Sequence, residues 1–212
     1  FHHQPRSTEV KLYGNPMSTC TRKVLMTLAE TNTPCELDVV DIGNGAHKKE
    51  PHLSRQPFGQ IPTLDDDGFQ FFESRAICRY INDKVGGSLV PKDLKGRALM
   101  EEWISIETSN FTPHAMKFVY EFAFHRKQAD GVLEAAGKSL DTAFAYMEKT
   151  LSKSDFLAGP ELTIADICFM PYIEYTMGSP VKEMMANYPH VIAWWNRISE
   201  RPTWQKVAGR AS

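Results

Sequence analysis

Apolar residues recur with two different periods in this chain, and the change falls near residue 85. Before it, short stretches alternate apolar with polar side chains. Beyond it, the periodic stretches step by three or four residues. Alternation turns one face of a strand inward, and a three-to-four step turns one face of a helix inward. A chain patterned in this way is expected to fold as an α+β half followed by an all-α half. At 212 residues, one large or two small domains are expected. The limits read from the patterning are 8–87 and 95–210.

Residues 9–13 (EVKLY) alternate around Val10 and Leu12 and end at the turn signal Gly14-Asn15-Pro16. Val24, Leu25 and Leu28 predict a helix over 19–31, stopped by Thr33-Pro34. Residues 35–40 (CELDVV) predict a second strand, parallel to the first through a right-handed crossover. Residues 43–59 read as a loop. Residues 61–64 then lead through the acidic turn Asp65-Asp66-Asp67-Gly68 into Phe69–Phe72, a β-hairpin pattern. Residues 74–81 are helical, with Ile77, Tyr80 and Ile81 on one face. The first half is thus βαβ followed by ββα.

Gly86-Gly87-Ser88 and Pro91 mark a short linker. Further on, Leu99, Trp103, Ile106 and Asn110 follow helical spacing, as do Leu133, Leu140, Phe144, Met147 and Leu151. Thr163 suits a helix N-cap, with Asp166 placed to reach back and Leu162 and Ile167 to staple the entry. The last helix holds Ile192, Trp195 and Ile198 before Arg201-Pro202. There is no convincing strand after the linker and no internal repeat.

The bulk properties exclude several classes. The net charge of −2 and a pI near 6.4 lack the basic footprint of nucleic-acid binding. Cys20, Cys35, Cys78 and Cys168 form no Cys-x-x-Cys pair, which argues against a disulfide scaffold or a zinc site and for a reducing, cytoplasmic compartment. No apolar run reaches the roughly 18 residues of a membrane span. No signal peptide is visible, and FHHQPRS at 1–7 reads as a tag remnant.

Four segments carry candidate chemistry. Ser18 stands where the first strand gives way to a helix, whose N-terminus offers free N–H groups and a partial positive charge. It is either a plain N-cap or a hydroxyl donor to a ligand thiolate. A free thiol is only about 3% ionised at pH 7. Lowering its pKa by about two units takes about 2.7 kcal/mol, the size of one hydrogen bond to a charged group plus a helix dipole. Gln60-Ile61-Pro62 is either a strand opening or, if the proline is cis, a site where the Ile61 backbone is left to pair with an extended peptide. Glu73 and Ser74 precede a helix. They are either a cap, with Ser74 at the N-cap, or a cradle for a group bearing both an ammonium and a carboxylate. His47-Lys48-Lys49 is either a solvated charge run or a grip for a second carboxylate. In the sharper readings the four make a slot for an extended thiol tripeptide, the chemistry of glutathione.

At these residues the sequence resembles the phi class of glutathione transferases. PMSTCTRKVL, GAHKKEPHL, PFGQIP and FFESRAICRYI carry the likeness, joined by LTIADI and WWNRISERPTW, over residues 8–208. The resemblance implies a thioredoxin-like N-terminal domain before the helical one, and a glutathione transferase with detoxification chemistry. It casts Ser18 as the catalytic serine that stabilises the glutathione thiolate. His47 and Lys48 match contacts to the glycyl carboxylate. Gln60, Ile61 and a cis Pro62 match contacts to the cysteinyl part, and Glu73 and Ser74 contacts to the γ-glutamyl head. Phe58 matches an aromatic key at a homodimer contact, with Arg75 supporting the site or that contact. The resemblance implies glutathione as co-substrate, no permanently bound cofactor or metal, and neither nucleic acid nor membrane as partner.

Two departures stand out. Glu50 displaces a family proline, so that Pro51 comes one position later. Cys20 lies two residues after Ser18, and in related classes a cysteine takes the serine's place and runs thiol-disulfide chemistry. Cys20 is therefore either a redox thiol of a reductase of the dehydroascorbate type or a small inward-packed helix residue. The electrophile site is expected between the domains, with Met17, Phe118, Tyr120 and Phe122 as apolar walls unless that aromatic stripe is simply core. Peroxidase side activity and a non-catalytic carrier of hydrophobic ligands are further expectations.

Overall fold

The computed structural model describes residues 9–210, so the tag reading of residues 1–7 lies outside the described residues. The chain divides into two compact units, the first ending at Gly87 and the second beginning at Ser88.

In the first unit, β1 (Val10–Gly14), α1 (Thr19–Glu30), β2 (Cys35–Val39), α2 (His52–Arg55), β3 (Thr63–Asp66), β4 (Phe69–Phe72) and α3 (Ser74–Val85) follow in order. The sheet runs β2-β1-β3-β4. β1 pairs parallel with β2, Leu12 opposite Leu37, and antiparallel with β3, Leu12 opposite Leu64. Val10, Leu12 and Leu64 are buried, as the alternation requires. Their partners are the inward faces of α1 (Val24, Leu28) and α3 (Ile77, Ile81), which pack together. The β3–β4 turn is Asp67-Gly68, both with positive φ (54° and 87°), the geometry whose twist matches a two-residue hairpin. Asp65 Oδ1 accepts the Gly68 N–H at 2.8 Å. Asp66 is held by Lys84 (2.5 and 2.6 Å) and by the Tyr80 hydroxyl (2.5 Å), tying the hairpin to α3.

The segment 43–59 is not a plain loop. A single 3-10 turn (Ala46–Lys48) and the one-turn helix α2 break it up. Too short for a periodic signal, they are held by side chains described below.

The second unit contains α4 (Leu94–Ile106), α5 (Thr112–Phe118), α6 (Val132–Leu151), α7 (Ile164–Thr176), α8 (Val181–Met185), α9 (Pro189–Ser199) and α10 (Pro202–Val207). Wider π turns at Glu107–Phe111 and Val119–Ala123 flank α5. The first of these corrects the stripe expected on α4. Leu99 and Asn110 face outward: the inward face of α4 runs through Met100, Trp103, Ile104 and Glu107, and the wide turn then brings Phe111 rather than Asn110 inward. The chain also continues past Arg201 into α10, with Pro202 at its first position, where a missing N–H costs nothing.

α7 is the centre of this unit, buried almost all round. Its entry is a capping box: Thr163 and Asp166 satisfy each other's N–H groups. The Asp166 carboxylate, fully buried, accepts four hydrogen bonds in all, from Thr163 N–H (2.9 Å), Thr163 Oγ1 (3.2 Å), Leu157 N–H (3.0 Å) and Trp194 Nε1 (2.9 Å). Burial still holds its carboxyl above the usual aspartate range, with these donors pulling the other way. No helix among the described residues is long and apolar enough to cross a membrane.

Candidate active site

The loop between β1 and α1 is fixed by its own side chains. Asn15 donates from Nδ2 to the Val40 carbonyl (3.1 Å) and accepts the Met17 N–H at Oδ1 (2.9 Å). Arg22, itself buried, donates from Nε to the Pro16 carbonyl (2.7 Å). Gly14 completes the junction: a Cβ there would lie 2.7 Å from Thr21 Cγ2, so the start of α1 sits directly on the strand end. Ser18 is thereby set at the N-cap of α1 and half-buried. Its Oγ accepts the Thr21 N–H at 3.2 Å. An acceptor role uses a lone pair, so the hydroxyl hydrogen remains to be donated elsewhere. The first turn of α1 holds no acidic residue to cancel the positive end of its dipole.

The segment before β3 is held from α2. His52 is buried, and its Nε2 lies 2.6 Å from the Gln60 carbonyl. Gln56, also buried, accepts the Gln60 N–H at Oε1 (3.1 Å). Gln60 therefore spends both main-chain groups on α2 rather than on the sheet. The Ile61–Pro62 peptide is cis, as is Glu50–Pro51. Among the described residues, neither the N–H nor the C=O of Ile61 has a hydrogen-bond partner. His52 and Gln56 went unnoticed in the sequence; their only signal is a polar residue at each end of a one-turn helix.

His47 and Lys48 form the 3-10 turn. Lys48 Nζ donates to the Phe58 carbonyl at 3.0 Å, whereas Lys49 turns away to the Asn44 carbonyl at 3.4 Å, so the charge run divides. Burial, then the nearby Lys48 and His52, hold the His47 imidazole below its usual range, which favours the neutral ring. Its Nδ1 is buried without a partner.

At α3 the structure corrects the cap. Glu73, not Ser74, is the N-cap residue. Its φ of 80° and ψ of 102° turn the chain sharply, so that Ser74 becomes the first helical residue. Ser74 is buried, Glu73 is exposed and Arg75 is half-buried. The α3 N-terminus carries no side-chain cap bond.

Cys20 is half-buried in the first turn of α1. Burial pushes the thiols of Cys35 and Cys78 up to about 11, which makes them poor nucleophiles at neutral pH. Cys168 is buried. Among the described residues no three His, Cys, Asp or Glu side chains gather as metal ligands.

The aromatic stripe does not form one wall. Phe118 stacks on Phe122 (6.3 Å, 13°), and Tyr120 pairs instead with Phe124 (6.4 Å). A two-residue offset turns about 200° around a helix, which separates the two pairs. Phe118 and Phe122 line a cavity of about 510 Å³ with Leu133, Gly137, Pro180 and Met184, and Tyr120 is not part of it. Met17 is 52% exposed beside Ser18.

Ser18 at the N-cap of α1, the unpartnered Ile61 backbone before β3 and the α3 entry at Glu73 all belong to the first unit, whose four strands form one mixed sheet. Residues 8–83 match the family model described as glutathione S-transferase, N-terminal domain, and residues 111–202 the corresponding C-terminal domain. Glutathione S-transferase F6 of Arabidopsis thaliana is 37% identical over 206 residues, 93% of this chain and 98% of that protein. The crystal structure of glutathione transferase F7 from Populus trichocarpa superposes with a TM-score of 0.89 at 38% identity, covering 96% of this chain and all of that one. Glutathione S-transferase I from maize, solved with an atrazine–glutathione conjugate, matches with a TM-score of 0.86 at 31% identity over 95% of this chain and 97% of its own. The chain belongs to the glutathione S-transferase family, and its relatives are the plant enzymes of the phi class.

Proposed function

We propose that this enzyme conjugates glutathione to hydrophobic electrophiles, with Ser18 donating its hydroxyl hydrogen to the glutathione thiolate. The observation that carries the reading is the cap geometry of Ser18: Oγ accepts from Thr21 and keeps its own hydrogen for a ligand. The thiol proton leaves to solvent and the thiolate sulfur forms a bond to the electrophilic carbon. The leaving group departs with its electron pair. With an organic hydroperoxide, two glutathiones supply two electrons and give the disulfide, an alcohol and water.

The tripeptide would lie along Ile61, whose unpartnered N–H and C=O suit an extended backbone. Its γ-glutamyl head would meet Glu73 and the positive end of α3 at Ser74, and its glycyl carboxylate would meet Lys48 and His47. Gln60 and Pro62 frame the cysteinyl part. Met17, exposed beside Ser18, supplies an apolar contact to the electrophile. Phe58, 66% exposed, is the homodimer contact in this reading, with Arg75 in support. An exposed phenyl ring of that extent is favourable to bury. The maize relative carries a conjugate of a chlorinated aromatic heterocycle, which supports electrophiles of that class.

The test is Ser18→Ala, assayed with glutathione and a chlorinated nitrobenzene across pH. Losing one hydrogen bond to a charged sulfur is expected to cut the rate at neutral pH by about ten- to a hundredfold and to raise the thiol pKa by about one to two units. Full activity with an unmoved pH midpoint would refute the role given to Ser18.

A further inference from the structure

We infer that His52 is a positioning residue for glutathione, acting through the peptide plane between Gln60 and Ile61. The inference rests on the reading that the Ile61 backbone pairs with the tripeptide. The Gln60 carbonyl can only accept, so the His52 ring atom 2.6 Å away carries the hydrogen, and the ring is the Nε2–H tautomer. The Nδ1 of the same ring is buried without a partner.

The peptide bond between Gln60 and Ile61 is trans. In a trans peptide the carbonyl oxygen and the following amide hydrogen point in opposite directions within one plane. Holding the Gln60 oxygen toward α2 therefore aims the Ile61 N–H away from α2, as the one free donor of that plane. Gln56 fixes the preceding plane through the Gln60 N–H and does not touch this one. Without His52 the plane between Gln60 and Ile61 is free to rotate, and the Ile61 donor loses its aim.

The protein's chemistry makes this separable from the role of Ser18. Aiming a donor at the ligand backbone changes glutathione affinity, whereas the thiol pKa depends on Ser18. His52→Leu is expected to raise KM for glutathione about tenfold, with kcat at saturation and the pH midpoint of the rate unchanged, since a tenfold loss is about 1.4 kcal/mol, one well-made hydrogen bond. His52→Gln, whose amide N–H reaches as far as Nε2, is expected to restore KM to within about threefold. His52→Asn, one bond shorter, should not restore it.

If His52→Leu does not fold, by circular dichroism, the Gln and Asn pair decides alone. Equal KM values for those two variants overturn the inference, as does an unchanged KM in His52→Leu. So does a loss that falls on kcat or on the pH midpoint. A wild-type protein that neither binds nor turns over glutathione would overturn the functional reading itself. An active wild type with indifferent variants would remove only His52.

Discussion

The two units put their buried and half-buried polar groups to opposite ends. In the first, Asn15, Arg22, His52 and Gln56 each bond to main chain in irregular segments, and what they hold in place is the loop bearing Ser18 and the segment bearing Ile61. In the second, Asp166 gathers donors from the α7 entry, from Leu157 and from Trp194 of α9, and what it holds in place is a packed core. Glu148 of α6 does the same for the α9 N-terminus, accepting the N–H groups of His190 and Val191 and pairing with the His190 ring at 2.6 Å. The same bond type serves aim in one unit and cohesion in the other. Losses in the first should therefore appear mainly in kinetics, and losses in the second mainly in stability.

Asp166→Ala puts the largest strain on that contrast. It strands the N–H groups of Leu157, Thr163 and Trp194 in the core. Urea unfolding should show a loss of about 3–5 kcal/mol, with KM for glutathione unchanged where the protein remains folded. A tenfold change in KM without a stability loss would break the comparison. Glu148→Ala is expected to cost about 1–2 kcal/mol as a lost helix cap, again without moving KM.

Acid sharpens the Glu148 case. Burial pushes its carboxyl up, but His190 and the Val191 and His190 N–H groups outweigh it, so the native value lies below the usual 4.5. A lowered carboxyl contributes stability above that value and loses it as pH falls through the native one. Wild type should therefore lose more stability than Glu148→Gln below about pH 4.5, read from unfolding midpoints. Asn15→Ala tests the other side. It should cost about 1 kcal/mol in stability yet lower kcat/KM severalfold, because the Ser18 loop loses two ties. Lys138→Ala, which breaks an exposed pair with Glu134 at 2.8 Å, should stay below about 0.5 kcal/mol and leave kinetics untouched.

Much of this was legible in the sequence, but unevenly. The strands announced themselves through Val10, Leu12 and Leu64, and the α7 entry through Thr163 and Asp166, because burial and capping leave periodic or fixed-offset marks. The α4 stripe is ambiguous in the sequence because Leu99 and Met100 both stand at helical spacing from Trp103, and only packing selects Met100; at Asn110 the π turn shifts the inward face to Phe111. Ser74 reads as a cap in the sequence because serine favours that position. Only the backbone angles of Glu73 reveal where the helix starts. The aromatic run read as one wall, yet the helix rotates Phe118 and Tyr120 to different faces. His52 left no mark, because its partner is a carbonyl eight residues away, and carbonyls are invisible to residue patterns.

Gly59 gives the first unit one more property. Its φ of 61° suits glycine, and a Cβ there would come within 2.7 Å of the Lys48 side chain and 2.9 Å of the His47 carbonyl. The turn bearing His47 and Lys48 and the strand entry bearing Ile61 are therefore butted together with no slack. They behave as a caliper set to one opening, and that opening is decided by an absent methyl group.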